Sequence, residues 1–121
     1  METSIKSIRP FVGAKNMDIS RSFYKDFGFE EVALSPNLFY FRSDGFGFYL
    51  QDAYVKDWVD NSMLFLEVEN LEHHLKTIKD LALDKKYDGV RVSEIHYKDW
   101  GKEYFVHDPS GILWHIGTFH K

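Results

Sequence analysis

The sequence of 121 residues contains no cysteine, which excludes disulfide bridges, thiolate metal sites and cysteine nucleophiles. Basic residues are not in excess: 15 Lys and Arg against 19 Asp and Glu leave a formal net charge of −4, with an isoelectric point near 5.8. That balance argues against nucleic acid as the main partner, because phosphate binding needs a clustered basic surface, and it mildly favours a cationic small molecule. No stretch approaches the ~20 apolar residues of a membrane span. Positions 1–10 lack the basic start and apolar run of a secretory leader, so a cytoplasmic protein without membrane contact is expected. Low-complexity tracts, charge blocks, phosphate-binding loops, dinucleotide fingerprints and nucleophile elbows are missing too. Gly45-Phe46-Gly47 opens a strand, not a helix.

What is present is apolar and patterned. Hydrophobic residues make up 44% and aromatic residues 17%, more than a disordered chain carries, and the length suits one domain. Ala14-Lys15-Asn16-Met17-Asp18 is echoed 54 residues later by Val68-Glu69-Asn70-Leu71-Glu72, and Phe11 by Phe65; the chain reads as a duplication. Each copy opens with an apolar strand, 5–14 and 63–69. An Asn suited to N-capping follows, with an acid two residues later at the positive helix end. Ile19, Phe23 and Phe27 in the first helix, and Leu71, Leu75, Ile78 and Ala82 in the second, form stripes that face a sheet. Three strands are expected after each helix, at 30–34, 38–42 and 46–51, then at 90–97, 103–107 and 112–119. Turn compositions at Ser43-Asp44-Gly45 and Asp108-Pro109-Ser110-Gly111 precede the last strand of each set. The expected fold class is α+β: two βαβββ modules, 1–53 and 62–121, joined by a linker at 54–61, related by a local twofold axis and with their sheets curled around a shared cleft.

A site on such an axis is built from matched residues of both halves. The first strands match Arg9 with Met63; the fourth strands, aligned through Gly45 and Gly111, match Tyr49 with His115. With Ser20-Arg21-Ser22-Phe23-Tyr24 and Gly28-Phe29 at the first helix and Asp108-Pro109-Ser110-Gly111 near the end, the βαβββ repeat resembles the vicinal oxygen chelate superfamily over essentially the whole chain. The resemblance implies that these four positions are where its enzymes, among them glyoxalases, extradiol dioxygenases and thiol transferases acting on fosfomycin, hold a divalent metal with His, Gln or Glu. Arg, Tyr, Met and His do not supply the roughly three protein ligands such a centre needs. Gln51, on the face of Tyr49, raises the count only to two. Trp100-Gly101-Lys102-Glu103, the Asp108 segment and Pro10 are more similar still to the bleomycin-resistance branch, whose members lack the metal ligands and sequester drug in clefts between the subunits of a dimer. The resemblance therefore implies a homodimeric antibiotic-resistance protein that binds a planar, cationic or amphipathic ligand, with no metal, no cofactor and no catalytic residue. The alternative is a metal-dependent lyase or oxidoreductase of the glyoxalase or dioxygenase type.

Around the four axial positions, strand phase adds Phe65 and Glu67 beside Met63, and Phe39 or Phe41 at the rim, an aromatic lining suited to planar rings. Trp58 and Trp100, in linker and loop contexts, need cover from a partner or ligand. Asp60 and Glu67 are candidates to attract a cation. Each of these is equally readable as core, dimer contact or ordinary surface. His115 is the titratable member of the axial set; a triad of His96, His107 and His115 is conceivable on neighbouring strands, and His73 and His74, adjacent on a helix, cannot face one point. The expected ligand cleft is Arg9, Phe39, Tyr49, Trp58, Met63, Phe65, Glu67, Trp100 and His115.

Overall fold

The computed structural model describes residues 4–120. β1 (Phe11–Gly13) runs parallel to β4 (Phe46–Gln51), which continues antiparallel through β3 (Leu38–Ser43) to β2 (Glu30–Ser35). The second sheet repeats the order: β5 (Met63–Glu67) parallel to β9 (Leu113–Phe119), then antiparallel β8 (Gly101–His107), with β6 (Arg91–Val92) and β7 (His96–Tyr97) both paired to β8. The duplication holds at residue level. Phe11 lies opposite Tyr49 and Phe65 opposite His115, the pairs that the sequence repeat relates. The fold is α+β, with one βαβββ unit used twice.

Each crossover is a helix with the same start. Asn16 before α1 (Met17–Asp26) and Asn70 before α3 (Leu71–Leu81) are extended, and each side-chain oxygen accepts a backbone N–H three residues on, from Ile19 and His73. That satisfies one of the donors a helix start leaves bare. Phe23, Phe27, Leu71, Leu75 and Ile78 face the core as the stripes predict, with two exceptions. Ile19 is 43% exposed, and Ser20 and Tyr24 are buried in its place. Four-residue steps drift by about 40° each against the 100° helical rotation, so a stripe running from 19 to 27 leaves the core face at one end. Ala82 is the left-handed cap of α3, and Leu83, opening the short α4 (Leu83–Lys86), is buried instead.

Three other expectations change. The opening strand is three residues long, not ten; Pro10 cannot donate to a ladder, and it contributes only its carbonyl, to the N–H of Tyr49. The strand expected over 90–97 is broken at Ser93, whose hydroxyl accepts the N–H of Phe105 and whose N–H bonds the carbonyl of the same residue, diverting the ladder between β6 and β7. The segment between the sheets carries a helical turn, α2 (Lys56–Asp60), with Val59 buried.

One continuous core joins the halves on the helix side of both sheets. Its centre is Trp114 of β9, whose ring lies 5.3–5.9 Å from the rings of Phe48, Phe29, Phe27 and Tyr24, all from the first half. The Trp114 indole donates to the Tyr24 hydroxyl at 3.0 Å, and Tyr24 donates to Asp108 at 2.6 Å. The other oxygen of Asp108 accepts the N–H groups of Ser110, Gly111 and Ile112. Burial pushes the Asp108 carboxyl up against the pull of these four donors, and burial beside Asp108 holds the Tyr24 phenol well above its ordinary value. Asp108 is thus a buried staple between the halves, with Pro109, Ser110 and Gly111 half-buried behind it. Among the described residues no helix is long and apolar enough to cross a membrane.

Candidate functional site

Strand alternation decides which residues the core leaves over. In the first sheet Val12, Phe39, Phe41, Phe48 and Leu50 point to the helices, so Phe11, Tyr40 and Tyr49 share the opposite, groove face. Tyr49 lies beside Phe11 (ring centroids 4.9 Å) and Tyr40 (5.5 Å). Arg9 donates to the Tyr49 hydroxyl at 3.0 Å and rests its guanidinium 4.1 Å above the Tyr40 ring. In the second sheet Trp114, Ile116, Tyr104 and Val106 are buried, leaving Met63, Phe65, Glu103, Phe105 and His115 on the groove face. His115 Nδ1 is 2.8 Å from Glu103 Oε1, and its Nε2 is 3.4 Å from Met63 Sδ.

The four axial positions therefore come together in two pairs, Arg9 with Tyr49 and Met63 with His115, at equivalent places in the two halves. Trp100 joins the second group, packing on Phe65 and Phe119 at 5.9 and 5.0 Å. A pocket of about 320 Å³ opens between the halves, lined by Pro10, Phe46, Gly47, Met63, Phe65 and Trp114 among others. Its walls are apolar and come from both modules, with Phe29, Phe48, Leu64, Leu66 and Trp114 from the helix side and Met63 and Phe65 from the groove face; of the axial residues only Met63 lines it.

Several expected cleft residues lie elsewhere. Phe39 is 5% exposed on the helix side, where Arg21 stacks on it at 4.1 Å, and Phe41 is buried beside it. A rim position was inferred without the phase that Tyr40 and Tyr49 fix. Trp58 stands 70% exposed on α2, outside the Phe65–Trp100–Phe119 cluster. Glu67 keeps the groove-face phase of Met63 and Phe65 and is exposed opposite Gly117, directly after Leu66 of the pocket wall. Asp60 is paired with Lys56 on its own helix. Gln51 ends β4 opposite Leu38 and Gly13. His73 is exposed, and its neighbour His74 is half-buried with Nδ1 2.5 Å from the Tyr104 hydroxyl.

Glu103 is the residue that sequence reasoning passed over. It is buried and orients the His115 ring; its signal was the place of Trp100-Gly101-Lys102-Glu103 ahead of a strand whose alternate residues, Tyr104 and Val106, are core. An imidazole held through Nδ1 by a carboxylate oxygen has its ring orientation fixed and presents Nε2 as a hydrogen-bonding atom. The donor set does not fit a divalent ion. A guanidinium and a thioether do not ligate one, and among the described residues no three His, Asp or Glu groups converge, so the His96, His107 and His115 triad is not assembled.

A larger hollow of about 590 Å³ lies at the seam of the α1 start, the α4–β6 connection and the Asp108 turn. Three of its polar side chains, Lys86, Tyr87 and Ser110, are engaged in joining the modules. Lys86 pairs with Asp26, Tyr87 donates to the same carboxylate, and Ser110 accepts the N–H of Lys15. We place the site at the smaller, apolar pocket, whose lining includes the groove-face Met63 and Phe65.

Structural comparison identifies the architecture. A bleomycin-resistance determinant encoded on the transposon Tn5 superposes with a TM-score of 0.82 at 14% identity, covering 97% of this chain and 100% of that one. A bleomycin-binding protein in complex with bleomycin gives 0.80 at 15%, over 96% and 100%. The fold is that of the vicinal oxygen chelate superfamily. Its enzymes are represented as well: lactoylglutathione lyase from Agrobacterium tumefaciens matches with a TM-score of 0.71 at 16% identity over 95% of each chain. No family model matches the sequence, and no curated protein matches it significantly. Within this vicinal oxygen chelate fold, activity has to be argued from the residues of the site.

Proposed function

We propose that this chain is a metal-independent binding protein of the cytoplasm that sequesters a planar cationic or amphipathic small molecule, working as a pair of identical subunits and conferring antibiotic resistance by capture rather than chemistry. The observation that carries the reading is the makeup of the axial positions. Where a vicinal oxygen chelate enzyme needs metal ligands, Arg9 and Tyr49, then Met63 and His115, engage each other on an aromatic floor. The bleomycin-binding neighbours support binding over turnover. The exposed Phe11, Met63, Phe65 and Phe119 on the groove faces, with the exposed Phe46 at the start of β4, support a second copy, since a lone chain rarely leaves such a row open.

The His115–Glu103 pair is the one feature favouring catalysis, being an imidazole oriented as a general base would be. Its remaining neighbour is a thioether rather than a nucleophile, so we read it as a hydrogen-bonding wall of the cleft. Calorimetric titration of metal-stripped protein with metal-free and copper-loaded bleomycin, beside a thermal-shift panel of divalent ions, tests the proposal. Saturable binding at about one drug per subunit, without stabilisation by metal, is the expected result. Strong stabilisation by one divalent ion with no drug binding would overturn it in favour of the lyase or oxidoreductase reading.

A further inference from the structure

We infer that the ligand of this pocket is a flat molecule with a neutral amide or lactam on its rim, lying between β4 and β5 and hydrogen-bonded to their free main-chain groups. The inference rests on the binding reading above and names the class of molecule bound.

The pocket lining is consecutive along two strands, residues 46–48 of β4 and 63–66 of β5. Neighbouring residues of a strand point to opposite faces, so a hollow touched by each in turn runs along the strand edge, where the main chain is bare. Both edges are uncovered here. β5 is the outermost strand of its sheet, and β1 pairs with β4 only at Tyr49, Leu50 and Gln51. Gly47, having no side chain, lines the pocket with main chain alone.

Ladder phase decides which groups face the gap. Ser62 accepts from Leu113 and Val68 donates to Gly117, so the even-numbered residues of β5 bond to β9, and the N–H and C=O of Met63 and Phe65 turn outward. Tyr49 donates to the Pro10 carbonyl. Gly47, two residues earlier in an unshifted β3–β4 register, turns its own groups to the same side. Continued one step, that parallel ladder would bring the N–H of residue 10 to the Gly47 carbonyl, and proline has none. The groups of Gly47, Met63 and Phe65 that face the gap have no backbone partner among the described residues. Main-chain donors and acceptors beside an apolar hollow of about 320 Å³ are matched by a neutral group that donates and accepts in one plane, since a charge there would be desolvated without a counter-charge. A body of about two or three fused rings suits a volume at the small end of ligand sites.

The test is a matched set of probes, quinolin-2(1H)-one, its N-methyl derivative and naphthalene, titrated against wild type and Pro10→Ala, with amide hydrogen exchange followed by NMR and thermal melts to establish that the variant is folded. Wild type is expected to bind the quinolinone at least about tenfold more tightly than either of the others. The Gly47 and Phe65 amides should exchange rapidly in the free protein and slow when the quinolinone is added, but not with the N-methyl derivative. Pro10→Ala restores a donor for the Gly47 carbonyl and should reduce the quinolinone preference several-fold. Equal binding of the three probes, an unchanged preference in folded Pro10→Ala, or Gly47 and Phe65 amides already protected in the free protein by another strand overturns the amide assignment and leaves the binding reading standing. Failure of all three probes and of bleomycin to bind overturns both.

Discussion

Asp108 carries more of the structure than its turn position suggests. Its carboxylate satisfies three consecutive backbone N–H groups and the Tyr24 hydroxyl in a site without solvent. Asp108→Ala leaves the buried Tyr24 hydroxyl and Ile112 N–H without this acceptor, each costing about 1–3 kcal/mol, so a loss of roughly 3 kcal/mol or more in denaturant melts is expected. Asp108→Asn, which keeps an acceptor, should lose less. His74 gives a residue-level pH response. Burial, followed by the charge of His73, lowers its pKa below the ordinary imidazole value. The unfolded chain therefore takes up that proton first as pH falls, and the stability His74 contributes is present above about pH 6.5 and is lost on acidification below it. His107 shifts the same way, through burial and then Arg91. The melting temperature should fall from about pH 7 to about pH 5, less steeply in His74→Gln; an identical slope in that variant would show that His74 is not the responsible group.

At the scale of elements, the helix starts are the duplicated feature that sequence reads best. Asn16 and Asn70 make the same bond to the third residue of their helices, so Asn16→Ala and Asn70→Ala should each cost about 1 kcal/mol, by chemical denaturation. A much larger cost at one cap would mean that the two crossovers are not equivalent. Strands were legible where alternation is strong, as in β3, β4, β8 and β9. They were misread where one residue diverts the ladder: Ser93 splits a strand by offering its own hydroxyl, and Pro10 ends one by lacking an N–H. The Ile19 error has a similar origin, since a stripe read at four-residue intervals takes no account of the drift of the helix.

For the whole molecule, the modules are two in sequence but one in packing. Trp114 sits among aromatic rings of the first half, and Tyr24 reaches Asp108 of the second. Helix loss in far-ultraviolet circular dichroism and the fluorescence change of the tryptophans should therefore coincide in a single transition. Separate midpoints would mean that the halves have cores of their own.

The sequence by itself determined the duplication, the order of elements and the matched axial residues Arg9, Tyr49, Met63 and His115, because hydrophobic period, capping chemistry and an internal repeat are local properties. It also carried the resemblance to the bleomycin-resistance branch, in whose fold the chain is found. Only tertiary structure decided that Phe39 serves the core while Tyr40 serves the groove, that Glu103 stands behind His115, and that Arg9 faces tyrosines rather than a carboxylate. Those facts depend on strand phase and on which side chains meet across ladders, and a one-residue change of register reverses every one of them.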